Sequence, residues 1–283
     1  MSLPKQIKIS QIIDETPFVK TFYFDHKLNS KPGQFVMLWI PEIDQKPFSI
    51  AYDDGQRFGL TVFKRGPLTE KLFSLQINDR VGITGPFGTN FSIQPDTRYI
   101  MVAGGYGAAP LGFLAEEIYA SNSNSTADFL MGARDKENLL FEERLSKIPN
   151  VKIHISTDDG SKGYKGYVTD ILNKILKKEL DPSTSVADAS FARDDNQSIL
   201  VVTCGPELME KKILDTCNKY NIDCEVSIER YMKCGFGICG QCVVDPIGIC
   251  MCKQGPVVNR KLANKIIEFG KYHRDKSGRK VNL

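Results

Sequence analysis

Five of the eight cysteines fall within 19 residues, Cys234 to Cys252, inside the stretch ERYMKCGFGICGQCVVDPIGICMCKQGP that runs from Glu229 to Pro256. Three of them, Cys234, Cys239 and Cys242, are spaced C-x4-C-x2-C, and a later one, Cys252 or Cys250, can close a set of four. That is the plant-type spacing for a two-iron, two-sulfur cluster, which needs four thiolates converging on it. Gly235, Gly237 and Gly240 suit a loop tight enough to wrap such a group, because glycine takes backbone angles that other residues avoid. Amide N–H groups in such a loop can point at the sulfurs and tune the reduction potential. Zinc sites usually bring two short cysteine knuckles, or cysteine with histidine; here there is one C-x2-C and no histidine nearby. Disulfides need an oxidising compartment, and the start MSLPKQIKIS lacks the charged-then-apolar pattern of a secretory leader. Inert buried cysteines would not cluster with glycines. The stretch is read as a 2Fe-2S site.

At 283 residues the chain is long enough for about two ordinary domains and a substantial core. A net charge of +3 is too small to argue for nucleic acid or a membrane surface, and no apolar run approaches the length of a membrane helix. The expectation is a cytoplasmic protein with neither nucleic acid nor membrane as partner. Cys204, Cys217 and Cys224 are scattered outside the cysteine-rich stretch, which fits a reducing compartment.

The pattern changes twice along the chain. Residues 1–96 hold short β-branched or aromatic runs (IKISQII, FVKTFYF, QFVMLWI, FSIAY, FGLTVF, RVGIT) bounded by turn residues. They predict an antiparallel β-barrel with one short helix near Thr69–Leu75. Residues 97–228 alternate strand and helix, which predicts a parallel doubly wound sheet. Helices are expected at Ala108–Ala120, Glu137–Lys147, Tyr167–Glu179 and Pro206–Tyr220. The polar, Ser- and Asp-rich run 181–198 is expected to be a surface insertion. Residues 229–283 are expected to form a small cluster domain. It would end in an amphipathic helix over LANKIIEFGKY and a solvated basic tail, HRDKSGRK.

Weaker motifs surround the cysteines. In the β domain, PGQF (Pro32–Phe35), KPFSI (Lys46–Ile50), GPLT (Gly66–Thr69) and GPFG (Gly85–Gly88) together suggest a site for a flavin diphosphate. A cation would meet the diphosphate, a hydroxyl the ring, and N–H groups at a helix start the phosphate. In the α/β domain, AGGYGAAP (Ala103–Pro110) joins a strand to a helix, the setting of a phosphate-binding turn. It departs from the dinucleotide fingerprint, because Pro110 stands where the third glycine would be. STDDG (Ser156–Gly160) and TCGP (Thr203–Pro206) end later strands, on the edge where open α/β sheets bind ligands. Cys204 could face a nicotinamide or be a plain strand-end thiol. Asp158 and Asp159 would repel an added 2′-phosphate if they lie near the ribose, while Arg134, after the second strand, argues the other way. His26, His154 and His273 fit no metal pattern, and no hydrolytic triad is evident.

Taken in order, the flavin motifs, GGYGAAPL, TDDGSKGYKGYVTD, CGP, and ERYMKCGFGICGQC closing with CKQGPVV span the whole chain. This series resembles the electron-transfer subunit of NAD-dependent (class 1B) dihydroorotate dehydrogenase, in the ferredoxin reductase superfamily. The resemblance implies FAD, a 2Fe-2S cluster and NAD(H) as cofactors. It also implies that Lys46 stands where an arginine usually clamps the flavin diphosphate, without arginine's planar fork. Pro47, Phe48, Ser49 and Ile50 would lie along the ring, with Ser49 nearest its reactive nitrogen. Gly66 and Thr69 match the phosphate motif, and Gly104, Gly105 and Gly107 the nicotinamide-nucleotide turn. The ligands matched are Cys234, Cys239, Cys242 and Cys252, the last because it directly precedes K-x-G-P. Dihydroorotate oxidation would belong to a partner carrying FMN on a (β/α)8 barrel, in a heterotetramer with two copies of each chain. The other reading is a flavin and iron-sulfur subunit of a ferredoxin:NADP oxidoreductase, sulfide dehydrogenase or hydrogenase complex. These share the same motifs.

Overall fold

β-branched and aromatic runs near the N-terminus pair into a seven-stranded antiparallel sheet. Its strands are β1 (Lys5–Lys8), β2 (Gln11–Thr16), β3 (Val19–Phe24), β4 (Phe35–Ile40), β5 (Asp44–Asp53), β6 (Phe58–Phe63) and β7 (Arg80–Phe87), in the order β1-β7-β4-β5-β6-β3-β2. The structure, a computed structural model, describes residues 3–180 and 197–283. The edge strands β1 and β2 are separated only by Ile9 and Ser10. Ile9 N–H bonds toward Asp79 and Ser10 N–H toward Tyr23, so the sheet curls its two edges together as a barrel. Phe22, Phe24, Phe58 and Leu60 fill it. Helix α1 (Pro67–Phe73) starts two residues earlier than Thr69, because Pro67 suits a first helical position.

The second sheet carries β8 (Thr97–Gly104), β9 (Thr126–Ala133), β10 (Val151–Thr157), β11 (Tyr164–Lys165), β12 (Ser198–Cys204) and β13 (Asp223–Ser227), all parallel. The helices α2 (Ala108–Ala120), α3 (Glu142–Ser146), α4 (Val168–Leu180) and α5 (Glu207–Tyr220) connect them. The order β11-β10-β9-β8-β12-β13 reverses direction between β8 and β12. Turns that follow these two strands therefore flank the crevice where such sheets take ligands. Helix α2 is buried from Ala108 to Ala115 because it lies between sheet and barrel, and its Phe113 enters the barrel core.

Beyond β13 the chain makes β14 (Val243–Val244), β15 (Ile249–Cys250), α6 (Met251–Gln254), β16 (Val257–Asn259), α7 (Arg260–Ala263), β17 (Tyr272–Arg274) and β18 (Lys280–Asn282). Strand β16 joins β13 antiparallel and so extends the nucleotide sheet. One apolar cluster runs without a break from the sheet (Ile100, Val201, Val226) through Met232, Cys242, Met251 and Cys252 to Phe35 and Met37 of β4.

Three expected segments differ. The helix over Glu137–Lys147 is a 3-10 turn at Lys136–Asn138 and a separate α3, because Leu140 is drawn into the core and Phe141 turns left-handed at φ 65°. The helix over LANKIIEFGKY stops at Ala263. Burial of Ile266, Glu268 and Phe269 and a left-handed Gly270 at φ 77° replace it with turns. The basic tail is a β17–β18 hairpin, held by Arg274 on Asp245 at 2.6 Å. Of the insertion 181–198, residues 181–196 lie outside the described residues, and Ser198 already begins β12.

Candidate functional site

Each turn of the cysteine loop is a left-handed glycine: Gly235 at φ 83°, Gly237 at 86° and Gly240 at 69°. A side chain on Gly235 would collide with Met37 Cγ at 2.7 Å and with Phe87, so the loop lies directly on strands β4 and β7 of the barrel. Burial opposes ionisation of Cys234. The backbone N–H groups of Cys239, Phe236 and Ile238 reach its sulfur and outweigh that, holding the thiol down at about 6. A sulfur that receives three amide donors is prepared for negative charge.

Cys252, on α6, is buried, and its N–H donates to Cys242 Sγ at 3.3 Å. Its thiol is pushed up by burial and then by the adjacent Cys242 sulfur, against the N–H of Gly237. Cys250, two residues earlier in β15, also feels Cys242, Cys234 and Cys239, so all five sulfurs share one locale. The two candidates differ because Cys250 ends a strand and Cys252 sits in a helical turn; the two-residue alternation of an extended chain does not apply. Among the described residues no three ligand side chains are closed on a common metal position. The donor chemistry fits a thiolate-held cluster: cysteines on a glycine loop with amides aimed at sulfur.

The KPFSI motif lies on β5. There Lys46–Ser49 pair with β4 alone, and pairing with β6 begins only at Ile50. The other edge of that stretch is open, which is why Pro47, lacking an N–H, is tolerated in mid-sheet. Lys46–Ser49 are all half-buried. Lys46 Nζ donates to Tyr231 Oη at 3.0 Å, lies 3.0 Å from Asp44 Oδ2, and sits 4.3 Å from the centre of the Tyr231 ring. Burial lowers its pKa, but these two partners prevail and raise it, so Lys46 is a fixed cation. Its tie to Tyr231 spans 185 positions, and no local signal could have found it.

At the start of α1, Thr69 Oγ1 accepts from the N–H groups of Arg65 (2.9 Å) and Gly66 (3.0 Å) and donates to Gly66 O (2.9 Å). Its hydroxyl thus shapes the turn. Gly66, at φ −174°, has nothing within 4 Å of where a Cβ would stand, so its own fold does not require glycine. That open approach suits a ligand close to the backbone.

The three glycines after β8 divide in a similar way. A Cβ on Gly107 would strike the carbonyl of Cys204, and one on Gly104 would meet Pro206 and Met209 at 2.6 and 2.8 Å. These two are glycine because the β12–α5 turn packs on them. Gly105, at φ 52°, faces open space. Tyr106 beside it stacks on Phe63 of β6 at 6.0 Å, joining nucleotide turn to barrel. Cys204 is half-buried at the end of β12. Its thiol is pushed up by burial and by Glu210, so it is protonated and no nucleophile. Asp158 and Asp159 lie beside Arg134, Asp159 N–H bonding the Arg134 carbonyl at 3.2 Å.

PGQF and GPFG serve the seam. Gln34 Nε2 donates to Gly88 O at 3.1 Å, Phe35 pairs with Phe87, and Thr89 N–H donates to Gly255 O at 2.7 Å. Phe236 of the cysteine loop packs on Phe87 at 6.2 Å, and Phe87 on Phe35 at 5.9 Å; Phe35 is in turn the β4 partner of Ser49. Loop and KPFSI strand are therefore joined by three aromatic rings.

A barrel, a parallel nucleotide sheet and a cysteine loop seated across both define an iron-sulfur oxidoreductase of ferredoxin-reductase architecture. Residues 229–262 match the family described as the iron-sulfur cluster binding domain of dihydroorotate dehydrogenase B, and residues 101–215 match the oxidoreductase NAD-binding domain. The chain is 43% identical over 281 residues to a protein of Methanocaldococcus jannaschii, with 99% of each chain covered. It is 38% identical to one of Methanocella arvoryzae, again with 99% of each covered. Both are named as probable dihydroorotate dehydrogenase B (NAD(+)) electron transfer subunits. Among solved structures, an NADH-dependent reduced ferredoxin-NADP oxidoreductase has the same fold, with TM-score 0.77 and 22% identity over 95% of this chain and 94% of that one. A ferredoxin-NADP+ reductase from Plasmodium falciparum aligns with TM-score 0.62 over 76% of this chain and 91% of that one, at 18% identity. The chain belongs to the family of electron transfer subunits of NAD-dependent dihydroorotate dehydrogenase B.

Proposed function

We propose that this chain relays electrons between NAD(H) and a partner chain that oxidises dihydroorotate, in pyrimidine (UMP) biosynthesis. The observation that carries this is the cysteine loop seated on β4 and β7, with Gly235 against Met37 and Phe87 and the KPFSI strand next to β4. When bound, FAD supplies hydride exchange with NAD(H) and single-electron exchange with a 2Fe-2S cluster.

The chain's own residues have holding roles. Lys46 is a permanently charged clamp for the flavin diphosphate, and Gly66 and Thr69 shape a turn with room for phosphate. Pro47, Phe48 and Ser49 line the open edge of β5. Gly105 offers its backbone to the nicotinamide nucleotide, while Gly104 and Gly107 let the β8 and β12 turns close behind it. Cys234, Cys239, Cys242 and Cys252 hold the cluster, with amides preset toward Cys234. The partner carries FMN and assembles with this chain as a heterotetramer in the cytoplasm. Among the described residues no helix is long and apolar enough to cross a membrane. A (β/α)8 barrel needs about 250 residues of its own, so dihydroorotate oxidation falls to the partner.

The test is purification followed by analysis of what is bound and what co-purifies. We expect one FAD and two irons per chain, flavin bleaching by NADH faster than by NADPH, and an FMN protein in the complex. One zinc without iron would refute the cluster. Co-purification with a hydrogenase or a sulfide-metabolising chain would favour the other reading.

A further inference from the structure

Arg230 follows β13 and precedes the cysteine loop, and its side chain is 97% buried. It does not point at the cysteines. Its Nη1 donates to Glu207 Oε2 at 2.7 Å and to the carbonyl of Glu229 at 2.7 Å, its Nη2 to Glu207 Oε1 at 3.2 Å, and its Nε to Glu268 Oε1 at 2.8 Å. The carboxylates are satisfied further. Glu207 Oε1 accepts from Gly270 N–H at 2.9 Å, and Glu268 Oε2 from Asp245 N–H at 3.1 Å. A planar fork holding two carboxylates fixes direction as well as distance, which a lysine could not do.

The three residues join two working parts. Glu207 opens α5, three positions after Cys204 in the turn that packs on Gly104 and Gly107. Glu268 and Asp245 belong to the segment that carries the cluster loop. Tyr231, next to Arg230, takes the hydrogen bond from Lys46 on the KPFSI strand. A burial this complete is costly for three charges unless each is paired, and apolar residues would stabilise a core as well or better. The arrangement is better suited to setting a geometry than to adding stability.

We propose that Arg230, Glu207 and Glu268 form a positioning clasp that holds the cluster loop at a set separation from the flavin strand and the nucleotide turn. The inference rests on the electron relay proposed above. Electron transfer falls off steeply with separation, whereas hydride exchange at the nucleotide turn does not involve the cluster. A loosened clasp should therefore slow the electron step and spare the hydride step.

The variant of choice is Glu207→Ala. It cuts the arm to the nucleotide turn but leaves Arg230 paired with Glu268, so no orphan charge is buried. Arg230→Ala would strand two carboxylates and is the variant prone to misfold. The unaltered chain with its partner, loaded with FAD and cluster, is the control on which the relay itself is judged. In Glu207→Ala we expect unchanged FAD and iron content and a flavin that NADH still reduces. Cluster reduction should be slower by tenfold or more. Independently of turnover, hydrogen exchange of the Gly270 amide and of residues 205–210 should accelerate at least tenfold. Glu207→Gln, which keeps an acceptor for Gly270 and the guanidinium, should restore most of both. Cluster reduction that keeps pace with flavin reduction in Glu207→Ala, or unchanged exchange at Gly270, would overturn the clasp.

Discussion

At the scale of single residues, the site is built from side chains whose state is set by their partners, near and distant in sequence. Lys46 is held charged by Asp44 and Tyr231 and remains half-buried; in the proposed flavin site it would meet the diphosphate. Lys46→Met should weaken FAD retention by about ten- to a hundredfold, the size of one lost charge-assisted hydrogen bond at roughly 1.5–3 kcal/mol. Flavin release on dilution, read by fluorescence, measures it.

The fourth ligand is also decided at this scale. Cys252→Ser should lose most of the iron and Cys250→Ser should keep it, by metal analysis of each variant. The reverse result would make Cys250 the ligand.

Glu210 gives a pH prediction. Burial raises its pKa well above the ordinary carboxylate value of about 4.5, so the folded chain keeps a proton that the unfolded chain has released. The folded state binds more protons over that range, and its stability falls as pH rises from about 4.5 toward the folded value. Glu210→Gln can still accept the Gly205 N–H that the carboxylate takes at 3.2 Å. It should match the parent melting temperature near pH 4.5 and exceed it by a few degrees at pH 8, at roughly 2–4 °C per kcal/mol for a domain of this size. An equal melting temperature at both pH values would mean that Glu210 is ionised in the fold.

At the scale of elements, the loop between the first two cysteines divides its apolar residues between two tasks. Phe236 turns inward onto Phe87, while Ile238 stays 74% exposed beside an exposed Cys239. An apolar residue standing free at the cluster is the one suited to anchor a partner. Ile238→Asp should weaken assembly with the proposed partner chain at least tenfold, read by co-purification and titration, and leave NADH-driven dye reduction at the flavin intact. Phe236→Asp should instead destabilise the chain itself by roughly 1–3 kcal/mol, as a disrupted aromatic contact does. Intact assembly in Ile238→Asp would put the contact elsewhere. The same scale explains the two lost helices. Charge spacing favoured helix at 137–147, and apolar spacing at 262–272, but both patterns count residues without knowing which must reach a core. Leu140 and Phe269 had to, and the backbone broke to let them.

For the whole molecule, the cysteine-rich segment is a structural part of the nucleotide half. β16 is its edge strand, and Cys242, Val244, Met251, Val258, Ile266 and Phe269 complete the core over Val226 and Ile228. Losing the burial that six such side chains provide, at roughly 1.5–3 kcal/mol each, is comparable to the whole usual net stability of a domain, about 5–15 kcal/mol. A fragment of residues 1–228 should therefore be insoluble or lack a cooperative melting transition. A soluble, monomeric fragment that melts cooperatively would show that the nucleotide half stands without β16.

Local chemistry was enough for much of this protein. The C-x4-C-x2-C spacing specified a thiolate site, alternating apolar runs specified barrel strands, and helix α2 was legible to its ends from AAPLGFLAEEIYA, because each signal lies within a few residues of itself. Contacts between segments far apart in sequence were decided only in the folded chain. Lys46 meets Tyr231, Arg230 meets both Glu207 and Glu268, and Gly107 must be glycine because the Cys204 carbonyl lies where its side chain would be. No periodicity encodes such meetings. They depend on how two sheets and a loop pack, and that packing is set by burial of the whole apolar surface at once.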